Sequence, residues 1–237
     1  MTAFSEPAQF RLLKFCSWFM FNNNTKDAIK IFKNDLAKIS SLDALKVFTW
    51  MAQSDYNIQT VSNKIDKLTS IFFKPLKNDL KPFPSKHFLI SYHYENFVLL
   101  KRMEEMRPKL REILKNHDPS MLSEFQKFAD TLKNHVMQFQ RLEVHVFPLF
   151  ERVLPQYGAF YRFERMFHND FKQMLRDIEY LFTIQPFNYA NFNQLVGCLY
   201  FRLSLRLYRE NLILFPVGCQ FIHSRFYQLT FVKEYFE

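Results

Sequence analysis

The sequence predicts an all-α chain in which an antiparallel up-down-up-down four-helix bundle follows a small helical domain. Three observations carry that expectation. Only 3 of the 237 residues are Gly, against a usual share of about 7%, so few positions offer the φ > 0 turns on which hairpins depend. Four long segments, residues 86–115, 120–153, 159–184 and 190–222, repeat apolar residues at the three-four spacing of a helix face. The breaks between them, at Asp118-Pro119, Pro155 to Gly158 and Gln185-Pro186, are short, which makes successive helices antiparallel neighbours.

Residues Pro7 to Leu76 read as three or four short amphipathic helices. Polar breaks at Asn22-Asn23-Asn24, Ser40-Ser41 and Ser54-Asp55 separate them, and a serine at the second can cap the helix that follows. No charged or histidine residue recurs there in a way that suggests a site. Pro75, Pro82 and Pro84 mark Lys74 to Ser85 as a linker, because each proline removes a backbone donor and steers its predecessor away from helix. The expected division is a helical domain at 1–78, a proline-rich linker at 79–85 and the bundle at 86–237.

Composition narrows the function. Despite 30 Phe and 48% hydrophobic residues, no apolar run reaches the roughly 18 residues of a membrane span. Phe10 to Phe21 is broken by Arg11, Lys14 and Ser17 and lacks the marks of a signal peptide, so a cytoplasmic location without membrane contact is expected. Cys16, Cys198 and Cys219 are odd in number and widely spaced, which argues against disulfides or a zinc ribbon; all three read as core thiols. The net charge of +9 is interleaved with acids, as in Lys101-Arg102-Met103-Glu104-Glu105, a solvated face rather than a specific nucleic-acid surface. There is no nucleophile beside a base, no P-loop and no Gly-rich phosphate cradle, so no enzymatic activity is expected.

The helix faces carry the informative residues. The second long segment turns Leu122, Phe125, Ala129, Leu132, Val136, Phe139, Glu143, Val146 and Phe150 inward, one carboxylate in an apolar row. The third gives Tyr161, Glu164, His168, Phe171, Leu175, Ile178 and Phe182. The fourth gives Phe192, Val196, Leu199, Leu203, Arg206, Glu210, Ile213 and Val217, with arginine and glutamate one turn apart. The first opens with His87, Ile90, Tyr94 and Phe97. At 1.5 Å per residue in antiparallel helices, Glu143, His168 and Glu210 fall at one level, whereas His87 joins them only if its helix starts earlier or sits deeper. Such a group can hold a carboxylate-bridged iron site or form a buried ion-pair cluster around Arg206.

These motifs resemble a known family. Glu143-Val-His-Val-Phe147-Pro148 and Glu210-Asn-Leu-Ile-Leu-Phe215-Pro216 are similar to the paired Glu-x-x-x-Phe-Pro signatures of hemerythrin-like, HHE-type cation-binding domains. His87-Phe-Leu with Glu95-Asn96, and His168-Asn-Asp170, resemble motifs of a bacterial branch in which a small helical domain precedes the bundle. The resemblance implies metal-ligand character for His87, Glu143, His168 and Glu210, and iron as the metal. The chain also departs from it. Phe139 or Gln138 stands where the family places a histidine before Glu143, Arg206 stands where many relatives have histidine, and Asn211 replaces a second acid. His135, two turns before Glu143, is expected to be exposed or at a boundary. Two irons, one metal or none all remain open. The leading expectation is a non-enzymatic protein with a degenerate site, a scaffold or sensor acting through an unknown protein partner or as a homo-oligomer. The alternative is a working mono- or di-iron site that binds oxygen or nitric oxide, or stores or donates iron.

Overall fold

The computed structural model describes residues 6–21, 25–54, 56–117 and 119–223, and every regular element among them is helical. The expected breaks at Asn22 to Asn24, and the acidic residues Asp55 and Asp118 of two others, lie outside the described residues.

The N-terminal helices are α1 (Glu6–Phe21), α2 (Thr25–Ile31), α3 (Lys33–Leu36), α4 (Ser41–Ala52) and α5 (Ile58–Asp79). Ser40 caps α4 in a reciprocal box: its hydroxyl accepts the Asp43 N–H at 3.2 Å, and the Asp43 carboxylate accepts the Ser40 N–H at 3.2 Å. Asn57 caps α5 by accepting the Gln59 N–H at 2.9 Å. Pro75, read from the sequence as part of the linker, instead lies inside α5. The lost backbone bond costs about 3 kcal/mol, which the burial of Val61, Ile65, Leu68, Phe72 and Leu76 along one face of α5 outweighs.

After the proline-rich connection come α6 (Leu89–Asn116), α7 (Pro119–Arg141), α8 (Phe147–Val153), α9 (Gly158–Leu181), α10 (Tyr189–Arg209) and α11 (Phe215–Phe221). Helix α6 packs on α7 and α10, and α9 also packs on both. The second and fourth long segments, expected as continuous helices, each contain a π-helical turn, at Leu142–Val146 and Glu210–Leu214. The cause is the proline that follows. Pro148 and Pro216 donate no hydrogen bond and crowd the carbonyl four residues back, so the ladder widens: Phe147 N–H reaches Leu142 O, and Phe215 N–H reaches Glu210 O. Beside the second widened turn, the Leu212 carbonyl accepts the Ser41 hydroxyl from α4 at 2.7 Å.

The phase of α6 also differs from expectation. Its buried row is Leu89, Tyr92, Asn96, Leu99 and Met103, while Tyr94 and Phe97 are 66% and 58% exposed. Asn96 takes the inward position because its amide meets buried partners on α7 and at the second π turn.

Two apolar clusters fill the interior. One joins α6, α7, α9 and α10 over much of their length. The other takes side chains from α1 to α5 together with the Phe-Pro ends of the long segments. Phe48 of α4 sits between Phe72 of α5 and Phe160 of α9, with ring centroids 5.7 and 5.9 Å away. The N-terminal helices therefore share a core with the rest of the described chain. Of the three thiols, Cys16 is buried as expected, Cys219 is partly buried, and Cys198 is exposed, a correction that follows from its place on the outer face of α10; none is in a disulfide. No helix among the described residues is long and apolar enough to cross a membrane.

Candidate functional site

At the level of the two π turns the polar residues of the seams converge on one side chain. Arg206, near the end of α10, is fully buried. Its guanidinium hydrogen-bonds one residue through Nη2 and pairs by charge with two others. Nη1 contacts Glu210, one turn on in the same segment. Nη2 contacts His168 Nε2. Nε lies 3.3 Å from Glu164 Oε2. The guanidinium carbon stands 4.6 Å from the centroid of Phe139, within the range of a cation–π contact. Phe139 also stacks on His168, 4.3 Å away and 7° from parallel.

The arginine fixes the histidine's proton. A guanidinium only donates, so His168 Nε2 accepts, and Nδ1 therefore carries the hydrogen that it donates to Glu143 Oε1. The imidazole is neutral. Burial pushes its titration well below the ordinary range, and the adjacent Arg206 pushes it further. A carboxylate on one nitrogen of a neutral histidine is how proteins hold a metal-ligating imidazole. Here the lone pair that would face the metal is committed to a guanidinium instead.

The same cluster extends in two directions. Toward α6, Glu210 Oε2 accepts from Asn96 Nδ2 at 2.6 Å, and Asn96 Oδ1 accepts from Gln138 Nε2 at 2.9 Å. Asn96 Nδ2 also donates to Asn211 Oδ1 at 3.0 Å. Toward the N-terminal helices, Glu164 Oε1 accepts from Arg209 Nε at 2.6 Å, and Arg209 Nη1 donates to Asp66 Oδ1 of α5 at 2.8 Å. Burial raises the titration of Glu210, opposed by Arg206 and Asn96, and raises that of Asp66, opposed by Arg209 and Arg202. Glu143, less buried, is also raised by burial, against the pull of Lys172, Arg165 and Arg206.

Three of the four sequence-predicted ligands, Glu143, His168 and Glu210, are thus brought together, with Arg206 between the histidine and Glu210. His87 is held elsewhere: Nε2 bonds to the Ile222 carbonyl at 2.8 Å and Nδ1 accepts the Leu89 N–H at 3.2 Å, so both nitrogens are occupied at the start of α6. His135, expected to be exposed or at a boundary, is buried against Phe139 with Nε2 unpartnered. Burial first, then Arg206 and Arg141, hold its pKa down to about 3.

These residues do not fit a metal ion. A permanent cation lies among the donors, where it repels a second one, and it already takes the lone pair of His168. Among the described residues no group of three or more His, Cys, Asp or Glu side chains is arranged to hold a metal. Phe139 and Gln138, the two residues at which the resemblance would place a single histidine, both serve the arginine, Phe139 through its ring face and Gln138 through Asn96 and Glu210.

Sequence reasoning missed Arg209 and Asp66. The available signal was a second polar stripe on α5, Ser62, Asp66 and Thr69, buried beside the apolar row, and an arginine directly before Glu210. Comparison with known protein families, with curated proteins and with solved structures returns no match.

Proposed function

We propose that the chain is a non-enzymatic, hemerythrin-like protein in which an internal guanidinium has taken the place of the metal, and that it acts as a scaffold or sensor through a partner. In this reading α6, α7, α9 and α10 run up-down-up-down, as the short connections between them favour. The observation that carries the reading is the triple engagement of Arg206 by Glu164, His168 and Glu210. It neutralises the acids that would bridge a metal and occupies the imidazole that would cap one. A site whose acids and base are tied to a fixed cation supports structure better than chemistry, since general acid–base work needs a group free to exchange its proton.

Large apolar side chains left in solvent support a partner. Tyr94 and Phe97 on α6, Met137 on α7 and Val144 in the π turn that follows it are all more than half exposed. They flank in sequence the Glu95–Arg141 ion pair, at 2.6 Å, that bridges the two helices. Three free cysteines fit a reducing, cytoplasmic setting.

The test is elemental analysis. Protein expressed in iron-replete cells and purified without chelator or tag histidines is expected to carry no stoichiometric iron, manganese or zinc. One or two irons per chain would reject this reading in favour of a working iron site.

A further inference from the structure

A cavity of about 450 Å³ opens between α6 and α10, on the face of α10 turned away from the Arg206 cluster. Its volume falls in the range of about 300–1,000 Å³ typical of small-molecule sites. The lining is mainly apolar and aromatic, with Leu110, Tyr200 and Phe201 among its walls. Three observations give it a chemical preference.

The first is unbalanced charge. Arg107 and Arg111, one turn apart on α6, both line the cavity, and neither has an ion-pair partner among the described residues. Lys109, between them in sequence, is held by Glu124 at 2.5 Å, and Lys101 lies 3.9 Å from Glu105. The second is an orphaned donor. Tyr200 lines the cavity and is only 8% exposed, yet its buried hydroxyl has no hydrogen-bond partner, a state that costs free energy until an acceptor arrives. Arg107 acts electrostatically on that hydroxyl, while Tyr208, also in the lining, feels Glu104 before Arg107. The third is space: a Cβ built on Gly197, also in the lining, meets nothing within 4 Å.

From these we infer that the α6–α10 cavity binds a soluble amphiphilic carboxylate, its apolar tail against the aromatic wall and its carboxylate between Arg107, Arg111 and the Tyr200 hydroxyl. Paired arginines recognise a carboxylate through charge-assisted bonds, and the hydroxyl supplies a neutral donor where burial keeps it protonated. An uncharged tail of the same length satisfies neither. The inference is independent of the Arg206 reading, since it uses the opposite face of α10.

Isothermal titration with decanoate, and with decanol as the uncharged counterpart, tests it. Decanoate is expected to bind saturably at one site per chain, at least about tenfold more tightly than decanol. The double variant Arg107→Ala/Arg111→Ala, altered only at exposed positions, is expected to lose that preference. Gly197→Leu, which extends a side chain into the cavity from a position where a Cβ meets nothing within 4 Å, is expected to weaken binding while leaving the thermal melt intact; if it fails to fold, the double-arginine variant decides the matter. Equal affinity for decanol, decanoate binding that survives both variants, or no saturable binding would overturn the proposal. A dimer in sedimentation that Gly197→Leu dissolves would also overturn it, assigning the cavity to a second copy.

Discussion

At the residue scale the protein turns on a choice of cation. A metal and a guanidinium make similar demands on the groups around them, carboxylates to balance charge and an imidazole lone pair to face it, but only the guanidinium is covalently attached and directional. Arg206 and its acids were legible because charged residues interrupt otherwise apolar rows, and a charge in such a row needs a partner. Asp66 and Arg209 were not legible as a pair, because the two lie far apart in sequence and only the packing of α5 on α10 joins them. His135 yields a pH prediction. Its folded pKa of about 3 lies below the ordinary value of about 6.5, so the unfolded chain binds more protons between these limits. The stability it contributes is complete above pH of about 6.5 and is lost as pH falls toward its folded value. Relative to a His135→Leu variant, the wild type should lose up to about 1.4 kcal/mol per pH unit in urea unfolding as pH drops from roughly 6 to 4. Parallel curves would mean that His135 is not buried and neutral.

At the scale of elements, helices were legible because three-four periodicity, caps and prolines all act locally. What periodicity missed were the two π turns and the phase of α6. A proline announces only that a carbonyl will be crowded; whether the helix kinks, stops or widens depends on what else can satisfy the backbone, here Ser41 from another helix. The α6 phase failed for a related reason, since Asn96 is drawn inward by Glu210 and Gln138 while the more apolar Tyr94 and Phe97 stay outside. Ser41→Ala should leave the Leu212 carbonyl short of a partner and cost about 1–3 kcal/mol in chemical denaturation. No change would mean that water replaces the hydroxyl at that turn.

At the scale of the whole molecule, the apolar faces of short helices do not say what they pack against, so sequence offered two bodies joined by a linker where packing shows helices with a common core. Phe48 between Phe72 and Phe160, and the path Asp66–Arg209–Glu164–Arg206, tie α4 and α5 to the long helices by both apolar and ionic contacts. Unfolding should accordingly be a single transition, with calorimetric and van't Hoff enthalpies equal; two resolved transitions would show that the N-terminal helices unfold on their own. The centre of that connected structure is Arg206, and its removal is the most direct test of the account. Denaturant unfolding of Arg206→Met, which keeps an apolar chain but deletes the cation, should show a loss of about 3–5 kcal/mol at neutral pH, shrinking at acid pH as the orphaned carboxylates take up protons. A variant as stable as the wild type at neutral pH would contradict the claim that a guanidinium holds this core together.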